Sequence, residues 1–271
     1  MVIGTSVLQR YNSYYLGHSY SNLGALKEAN KHFENHFRLN NKDWQIASLI
    51  GWYYGVIRRN DTALEWYLKA LLLEPKLLEP HVECARLLAE SGRTDEALGH
   101  VNQAMDLVET SIEKQMIESL RKKISGDLKG AIQTLERAIA GPNSDWNSAK
   151  HFQKADACAL LATFQRELGD RKSALSTLES ALQSNPNDLS LINELVMEYA
   201  DQGVRLEEAL SLIERALKDQ PENPIFIATK GWVLFKLRRR EEAKAALERC
   251  VELLPECEEA REHLRHITDD R

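Results

Sequence analysis

The chain repeats one pattern of apolar and polar positions seven times. Each copy has an alanine, a core-type residue four positions later and, in all but one copy, a small residue seven positions later, as in Ala63, Tyr67 and Ala70. Spacings of four and three place these side chains on one face of a helix. The alanines that set the register are Ala29, Ala63, Ala97, Ala131, Ala174, Ala209 and Ala243. Their intervals are 34 residues, except for 43 before Ala174 and 35 before Ala209, which predicts a 34-residue unit with two insertions.

A second helix is predicted upstream of each alanine. In four copies a glycine stands five residues before the alanine, where a left-handed residue would end that first helix: Gly24, Gly92, Gly126 and Gly169. Thr94, Asp127 and Asp170 follow as candidate N-caps of the second helix. Four prolines stand twelve residues after the alanine, where they end the second helix: Pro75, Pro186, Pro221 and Pro255. Each unit is therefore predicted to be a helix–turn–helix hairpin.

Hairpins of this length and pattern resemble the tetratricopeptide repeat. The resemblance rests on the small residue of the first helix, the turn glycine, the alanine pair of the second helix and the terminal proline, and it covers roughly residues 10–257. It implies an all-α fold, an α-solenoid of about seven repeats forming a right-handed superhelix with a C-terminal capping helix at 258–271. The repeats are framed at 10–43, 44–77, 78–111, 112–145, 155–188, 189–223 and 224–257. In domain terms we expect an N-terminal array over 1–145, an insertion loop over 146–154 and a C-terminal array over 155–271.

Three departures from the repeat pattern carry expectations of their own. The fourth repeat has Ser119 and Lys122 at helix-facing positions, so its hairpin is the weakest prediction. The segment 141–154, which follows it, is expected to bend the stack or to reach over the groove. Arg58 and Arg238 replace the turn glycine in two repeats, and we interpret them as cations favoured at a helix C-terminus rather than as a phosphate site.

Composition and charge exclude several classes of protein. The chain has 35 Lys and Arg against 41 Asp and Glu, a net charge of −6, so no basic excess points to a nucleic-acid or anionic-membrane partner. Its 43% hydrophobic and 28% charged residues exclude a chain disordered throughout. The start of the sequence lacks the pattern of a signal peptide and no run of eighteen apolar residues occurs. We therefore expect a cytoplasmic protein without membrane insertion, with the periplasm as the alternative if a leader has been removed.

Chemical motifs give little support to catalysis. The four cysteines form no CxxC pair and are interpreted as reduced thiols. His32 and His36 are four apart without the glutamate of HExxH, and His263 and His266 are three apart without a clear third ligand. Glycine-rich phosphate loops and GxSxG elbows are missing from the sequence. We expect no enzymatic activity, no cofactor and no metal.

The resemblance also implies where a partner would bind. In the family the first helices line a concave groove, and the matching positions here give candidate partner-binding residues. They are Tyr11, Tyr14, Tyr15, His18, Leu49, Trp52, Glu83, Arg86, Met116, Leu120, Asn193, Glu194, Met197, Trp232 and Phe235. Aromatic residues are favoured at interface hot spots, but packing on a neighbouring hairpin is the open alternative for Trp52 and Trp232. The set of Lys, Asn and Arg residues with which co-chaperones of the family hold a terminal carboxylate is not found on three consecutive repeats.

The sequence therefore predicts a non-enzymatic scaffold or adaptor. It would bind a peptide or helix of another protein in its concave groove and organise a multiprotein assembly. The alternative is a self-associating scaffold that forms homo-oligomers. An enzyme subunit or a nucleic-acid binder is disfavoured by the charge and the missing motifs.

Overall fold

The repeated hairpins dominate the fold. A computed structural model describes the backbone of residues 2–269 and the side chains of residues 9, 10 and 12–267. Over that part of the chain the secondary structure is α-helical, without a β-strand, and the predicted all-α fold is confirmed. Across residues 2–269, every helix is too short or too polar to cross a lipid bilayer.

Each predicted repeat contains two helices. The first four repeats contain α1 (Val2–Asn22) and α2 (Leu26–Leu39), α3 (Trp44–Val56) and α4 (Asn60–Leu73), α5 (Leu78–Glu90) and α6 (Thr94–Leu107), and α7 (Ser111–Ile124) and α8 (Leu128–Ala140). The short helix α9 (Asn143–Ser148) lies in the insertion. The last three repeats contain α10 (Lys154–Glu167) and α11 (Arg171–Ser184), α12 (Leu189–Gln202) and α13 (Leu206–Asp219), and α14 (Pro224–Lys236) and α15 (Arg240–Leu253). The closing helix is α16 (Glu258–Asp269).

The alanine register fixes the packing within the hairpins. Ala29 is 3% exposed and the other six register alanines are fully buried. The small residue twelve positions before the alanine is needed for close approach: a Cβ added to Gly231 would lie 2.7 Å from Cγ of Leu247, closer than packed carbon atoms approach. The spacing read from the sequence therefore corresponds to the contact face between the two helices of a repeat.

The turn between the two helices takes a left-handed residue whether or not it is glycine. Gly24 and Gly92 have φ of 77° and 78°, and Arg58 and Arg238, at the equivalent positions, have φ of 57° and 64°. A side chain in this region costs on the order of 1–2 kcal/mol relative to glycine. The two arginines therefore adopt the left-handed conformation of the turn glycine. The sequence had indicated only that they are cations favoured at a helix C-terminus.

The chain divides into two compact units. The terminal unit consists of Met1–Arg58 together with Ile192–Arg271, and the central unit consists of Arg59–Leu191. These limits do not coincide with the predicted arrays on either side of the insertion. The reason lies in the terminal unit, where Leu254 packs in one apolar cluster with Leu26 and Tyr53, from the other end of the chain. The backbone N–H of Glu222 also donates to the carbonyl oxygen of Leu23 at 3.2 Å.

The insertion packs against the repeats on either side of it. Trp146 of α9 is 7% exposed and lies in the apolar cluster that contains Leu135 and Phe164. Its Nε1 donates to the carbonyl oxygen of Ala138 at 3.2 Å. The backbone N–H groups of residues 150 and 151 donate to one carboxylate oxygen of Glu113, at 2.9 and 3.1 Å. Both the indole and the loop after it are thus held by the helices of the fourth repeat.

The fourth repeat forms its hairpin despite its two polar positions. Ser119 is fully buried, and its Oγ donates to the carbonyl oxygen of Met116 at 2.7 Å. Lys122 donates from Nζ to Oγ1 of Thr134 on α8 at 3.0 Å. Because both polar side chains have a hydrogen-bond partner, their helix-facing positions cost the fourth repeat little free energy of folding.

Candidate functional site

The tyrosines of α1 differ in how far they pack. Tyr14 and His18 are half-buried with ring centroids 4.5 Å apart, and His18 also meets the ring of Phe33 on α2 at 5.2 Å. Tyr15 is 61% exposed. The side chain of Tyr11 lies outside the described residues. On this helix the structure therefore presents Tyr15 to solvent and uses Tyr14 and His18 to seat α1 on α2.

Trp52 is the exposed aromatic residue of α3. Ile46 and Ile50 on this helix are fully buried, whereas Trp52 is 43% exposed and Leu49 is half-buried. Trp52 therefore lies outside the buried face of α3. Its indole stands at a position where a partner could cover it.

Trp232 occupies the same repeat position on α14 but is packed. Its indole stacks on the imidazole of His263 from α16, with centroids 4.1 Å apart and planes 9° from parallel, and on Phe235 at 5.3 Å. Nζ of Lys236 lies 4.5 Å from the ring centroid. The indole Nε1 donates to Asp201 at 3.1 Å. Of the two interpretations open for Trp232, these contacts favour packing.

The environment of His263 keeps its ring neutral at pH 7. Burial lowers the pKa of His263 from its ordinary 6.5 to about 4, because the charged form loses hydration. Glu262 and Asp201 oppose this shift, while His266 and Lys236 add to it. In the described part of the chain Nδ1 of His263 is buried without a hydrogen-bond partner. A neutral, flat ring stacked on an indole is a packing element of the terminal unit.

Carboxylates collect on the helices that surround Trp232. The pKa of Glu259 on α16 is raised chiefly by burial and further by the charges of Asp201 and Glu194, while Arg58 opposes the rise. Asn193 on α12 accepts from Oγ1 of Thr229 at 2.9 Å, so its carbonyl is occupied inside the fold. Met197 is half-buried. Carboxylates and the cations Arg58 and Lys236 therefore lie together in this part of the terminal unit.

In the central unit the predicted charged contacts are satisfied within one helix. Arg86 donates from Nη2 to Glu83 at 2.8 Å and from Nη1 to Glu90 at 2.7 Å, all on α5. Burial and the neighbouring charge of Glu83 raise the pKa of Glu79 on the same helix. Glu83 and Arg86, two of the candidate partner-binding residues, thus neutralise each other.

Met116 does not belong to the candidate surface. It is 4% exposed and packs with Ile112 and Leu135 in the core of the fourth repeat. The neighbouring candidate Leu120 is half-buried against Ile117. The family position therefore points inward here, because the insertion and α8 close over α7.

An exposed apolar surface on α4 was not predicted. Leu72 is 83% exposed and Leu68 is 44% exposed, and both line a depression of about 450 Å³ that also contains Pro75. Within it, Nδ1 of His81 lies 2.9 Å from Nδ1 of His100. The sequence signal was present, since the leucines of TALEWYLKALLLEP outnumber the positions that the alanine register buries.

Comparisons with known proteins agree with the repeats. A family model described as tetratricopeptide repeat matches residues 155–188 and 227–257, the fifth repeat and most of the seventh. A TPR repeat-containing protein of Pseudomonas aeruginosa is 24% identical over 179 residues, which cover 64% of this chain and 28% of the relative. The chain thus spans a little over a quarter of that relative's length.

One solved structure is similar in fold, and a second one aligns with part of the chain. A tetratricopeptide-repeat protein from Parabacteroides merdae is 16% identical, with a TM-score of 0.52 over 96% of this chain and 99% of that one. YrrB, described as a TPR protein with an unusual peptide-binding site, is 21% identical, with a TM-score of 0.46 over 72% of this chain and 96% of its own. At these identities the first similarity concerns the fold alone.

Proposed function

Because the chain is a tetratricopeptide-repeat protein, we propose that it is a non-enzymatic scaffold whose first helices bind a peptide or helix of another protein and so organise a multiprotein assembly. The observation that carries this proposal is the exposure of Trp52 at 43% and Tyr15 at 61%. The same register buries Ala29 and Ala63 almost completely. Large aromatic side chains that keep this much exposed surface are suited to anchor a partner.

Selection from a displayed library of random peptides tests the proposal, followed by affinity measurements with purified variants. Trp52→Ala should weaken the selected peptides at least about fivefold, the loss of about 1 kcal/mol expected of an anchor. Trp66→Ala is the matched control, because Trp66 lies on the second helix of the same repeat, with Nζ of Lys69 4.1 Å from its ring. Equal losses in both variants, or none in either, would reject the first-helix site, provided that both variants keep the wild-type circular dichroism.

Self-association is the second candidate, and the surface of Leu68 and Leu72 favours it. Exposed apolar patches beside a depression mark sites of protein–protein contact. Sedimentation over a range of concentrations should then give a mass above 30.9 kDa that falls to that value for Leu72→Lys. Leu168→Lys, at another leucine of the central unit with 44% exposure, should leave the mass unchanged. A wild-type mass of 30.9 kDa at every concentration would exclude this candidate.

A further inference from the structure

The insertion leaves a cavity in the central unit. It measures about 700 Å³ and lies among α8, α9, α10 and α11. Pockets that bind small molecules have volumes of about 300–1,000 Å³ and combine apolar walls with a few polar groups. The cavity therefore has the size of a ligand site, and it exists where the regular repeat is interrupted.

The apolar part of the cavity is preformed. Trp146 and Ile139 belong to its wall. The indole of Trp146 is fixed by its hydrogen bond to the carbonyl oxygen of Ala138 and by its burial in the core. A ligand with an apolar group would meet a rigid surface, so little ordering of the protein would oppose binding.

One cation faces the cavity. Among the described residues that line it, Lys154 alone is charged. Its Nζ donates to the neutral amide oxygen of Asn143 at 3.2 Å, and no carboxylate pairs with it in the described part of the chain. The charge of Lys154 also opposes the rise in the pKa of the Cys158 thiol, which shares the cavity wall. A positive charge without a counterion favours an anionic group on the ligand.

The remaining polar groups suit an amide. Asn143, Asn185 and Ser184 line the cavity. The amide nitrogen of Asn185 donates to Asp188 at 3.3 Å, and Oγ of Ser184 donates to the carbonyl oxygen of Ser180 at 3.2 Å. The amide N–H groups of Asn143 and the amide oxygen of Asn185 remain as a donor and an acceptor for a ligand. Carboxamides pair with peptide groups through one donor and one acceptor each. The lining therefore combines a site for an anion, sites for an amide and an apolar wall.

We propose that this cavity binds a carboxylate whose neighbouring atoms carry an amide and an apolar side chain. The carboxylate lies at Lys154, the amide at Asn143 and Asn185, and the apolar side chain against Trp146. A free N-acyl amino acid and the C-terminal end of a peptide share this chemistry. The site is built from the insertion, the second helices α8 and α11, and α10, and it does not use the exposed aromatic residues of α1 and α3 that carry the proposed function.

Nuclear magnetic resonance of the indole N–H groups tests the proposal in the full chain. The chain has five tryptophans, and Trp146→Phe identifies the signal of Trp146. N-acetyl-leucine and an acetylated tripeptide ending in leucine should each shift that signal to saturation. The matching C-terminal carboxamides should bind at least about tenfold more weakly, because they lack the charge that Lys154 pairs with.

Three variants sharpen the test. Lys154→Gln should bring the affinity of each acid down to that of its carboxamide. Ser184→Trp fills the cavity from the exposed end of α11 and should abolish the shift, whereas Ser176→Trp, on the same helix outside the cavity, should preserve it. Trp52→Ala should also leave this binding unchanged, so that failure of the proposed function and failure of this inference are distinguishable.

Each outcome supports or overturns the proposal. A tripeptide that binds about tenfold more tightly than N-acetyl-leucine assigns the cavity to chain ends, and equal affinities assign it to the free acid. Equal affinities of acid and carboxamide, or a shift that survives Ser184→Trp, would overturn it. So would an unmoved Trp146 signal at about 10 mM ligand, a concentration that reveals even very weak sites.

Discussion

Two tryptophans occupy the same position of their repeats and meet opposite surroundings. Trp52 on α3 is 43% exposed, while Trp232 on α14 is half-buried and stacks on His263 at 4.1 Å. The residue type and the repeat position are identical, so the difference comes from the element that follows. The closing helix α16 supplies the ring that covers Trp232. The repeat position therefore fixes the point at which the side chain leaves its helix. The neighbouring helices determine whether that side chain is packed or exposed.

A third tryptophan marks the packed extreme of this comparison and gives the largest expected effect. Trp146→Ala removes a side chain that is 7% exposed and hydrogen-bonded to Ala138. We expect a loss of about 3–5 kcal/mol in the free energy of unfolding, as for other buried aromatic residues. Denaturant unfolding followed by circular dichroism measures it. Trp146→Phe keeps most of the apolar volume and should lose less, and equal losses would show that the indole hydrogen bond dominates.

The comparison itself is tested by truncating both first-helix tryptophans. Trp232→Ala should lower the free energy of unfolding by about 2 kcal/mol, because it removes the stack on His263 and the hydrogen bond to Asp201. Trp52→Ala should lower it by less than about 1 kcal/mol, as usual for exposed positions. The same unfolding experiment compares the two variants side by side. A reversed order would contradict the assignment of Trp232 to packing.

The stack on Trp232 also predicts a pH dependence. The pKa of His263 is about 4 in the folded chain and 6.5 when unfolded, so the unfolded state binds more protons between these values. The contribution of neutral His263 is therefore complete above pH 6.5 and is lost as the pH falls toward 4. We expect a loss on the order of 1–2 kcal/mol, since each pKa unit corresponds to about 1.4 kcal/mol and the ring is partly exposed.

His263→Phe is the control for this pH dependence. It keeps an aromatic ring against Trp232 but removes the titrating group. As the pH is lowered from 7 to 4, the unfolding free energy of the wild type should fall relative to that of the variant. If this difference does not vary with pH, the protonation of His263 does not cause the loss of stability at low pH.

The smallest effect concerns the indole hydrogen bond of Trp232. Asp201→Asn keeps an acceptor but removes the charge, and should lower the free energy of unfolding by about 0.5–1 kcal/mol. Thermal unfolding measures the change, with Asp219→Asn on α13 as the control at another exposed aspartate. If both variants shift the midpoint alike, the effect belongs to net charge and not to the bond at 3.1 Å.

The helical fold was predictable because its signal is local and repeated. The spacing from Ala63 to Tyr67 and Ala70 lies within one helix, and all three side chains are buried as the register requires. The cluster that contains both Leu26 and Leu254 has no such signal, since no repeat spacing relates residues so far apart in the sequence. For the same reason the limits of the two units could not be predicted from the sequence.

The candidate site was predictable only in part. Family positions located Tyr15 and Trp52, which are exposed, and Trp232, which is packed. They did not foresee that Met116 is buried or that Arg86 is paired by Glu83, because both depend on neighbours that the repeat pattern leaves free to vary. The cavity beside Trp146 was also missed, since the insertion has no counterpart in the repeat.

The contact between the two ends of the chain affects how the protein is made. A repeat array in which each hairpin meets only its neighbours can fold progressively as it leaves the ribosome. Here the cluster of Leu26, Tyr53 and Leu254 cannot form until residue 254 has been synthesised. The first hairpin must wait with part of its apolar surface uncovered while the central unit is translated. Nascent chains stalled before residue 254 should therefore be more sensitive to proteases in their first repeat than the released protein.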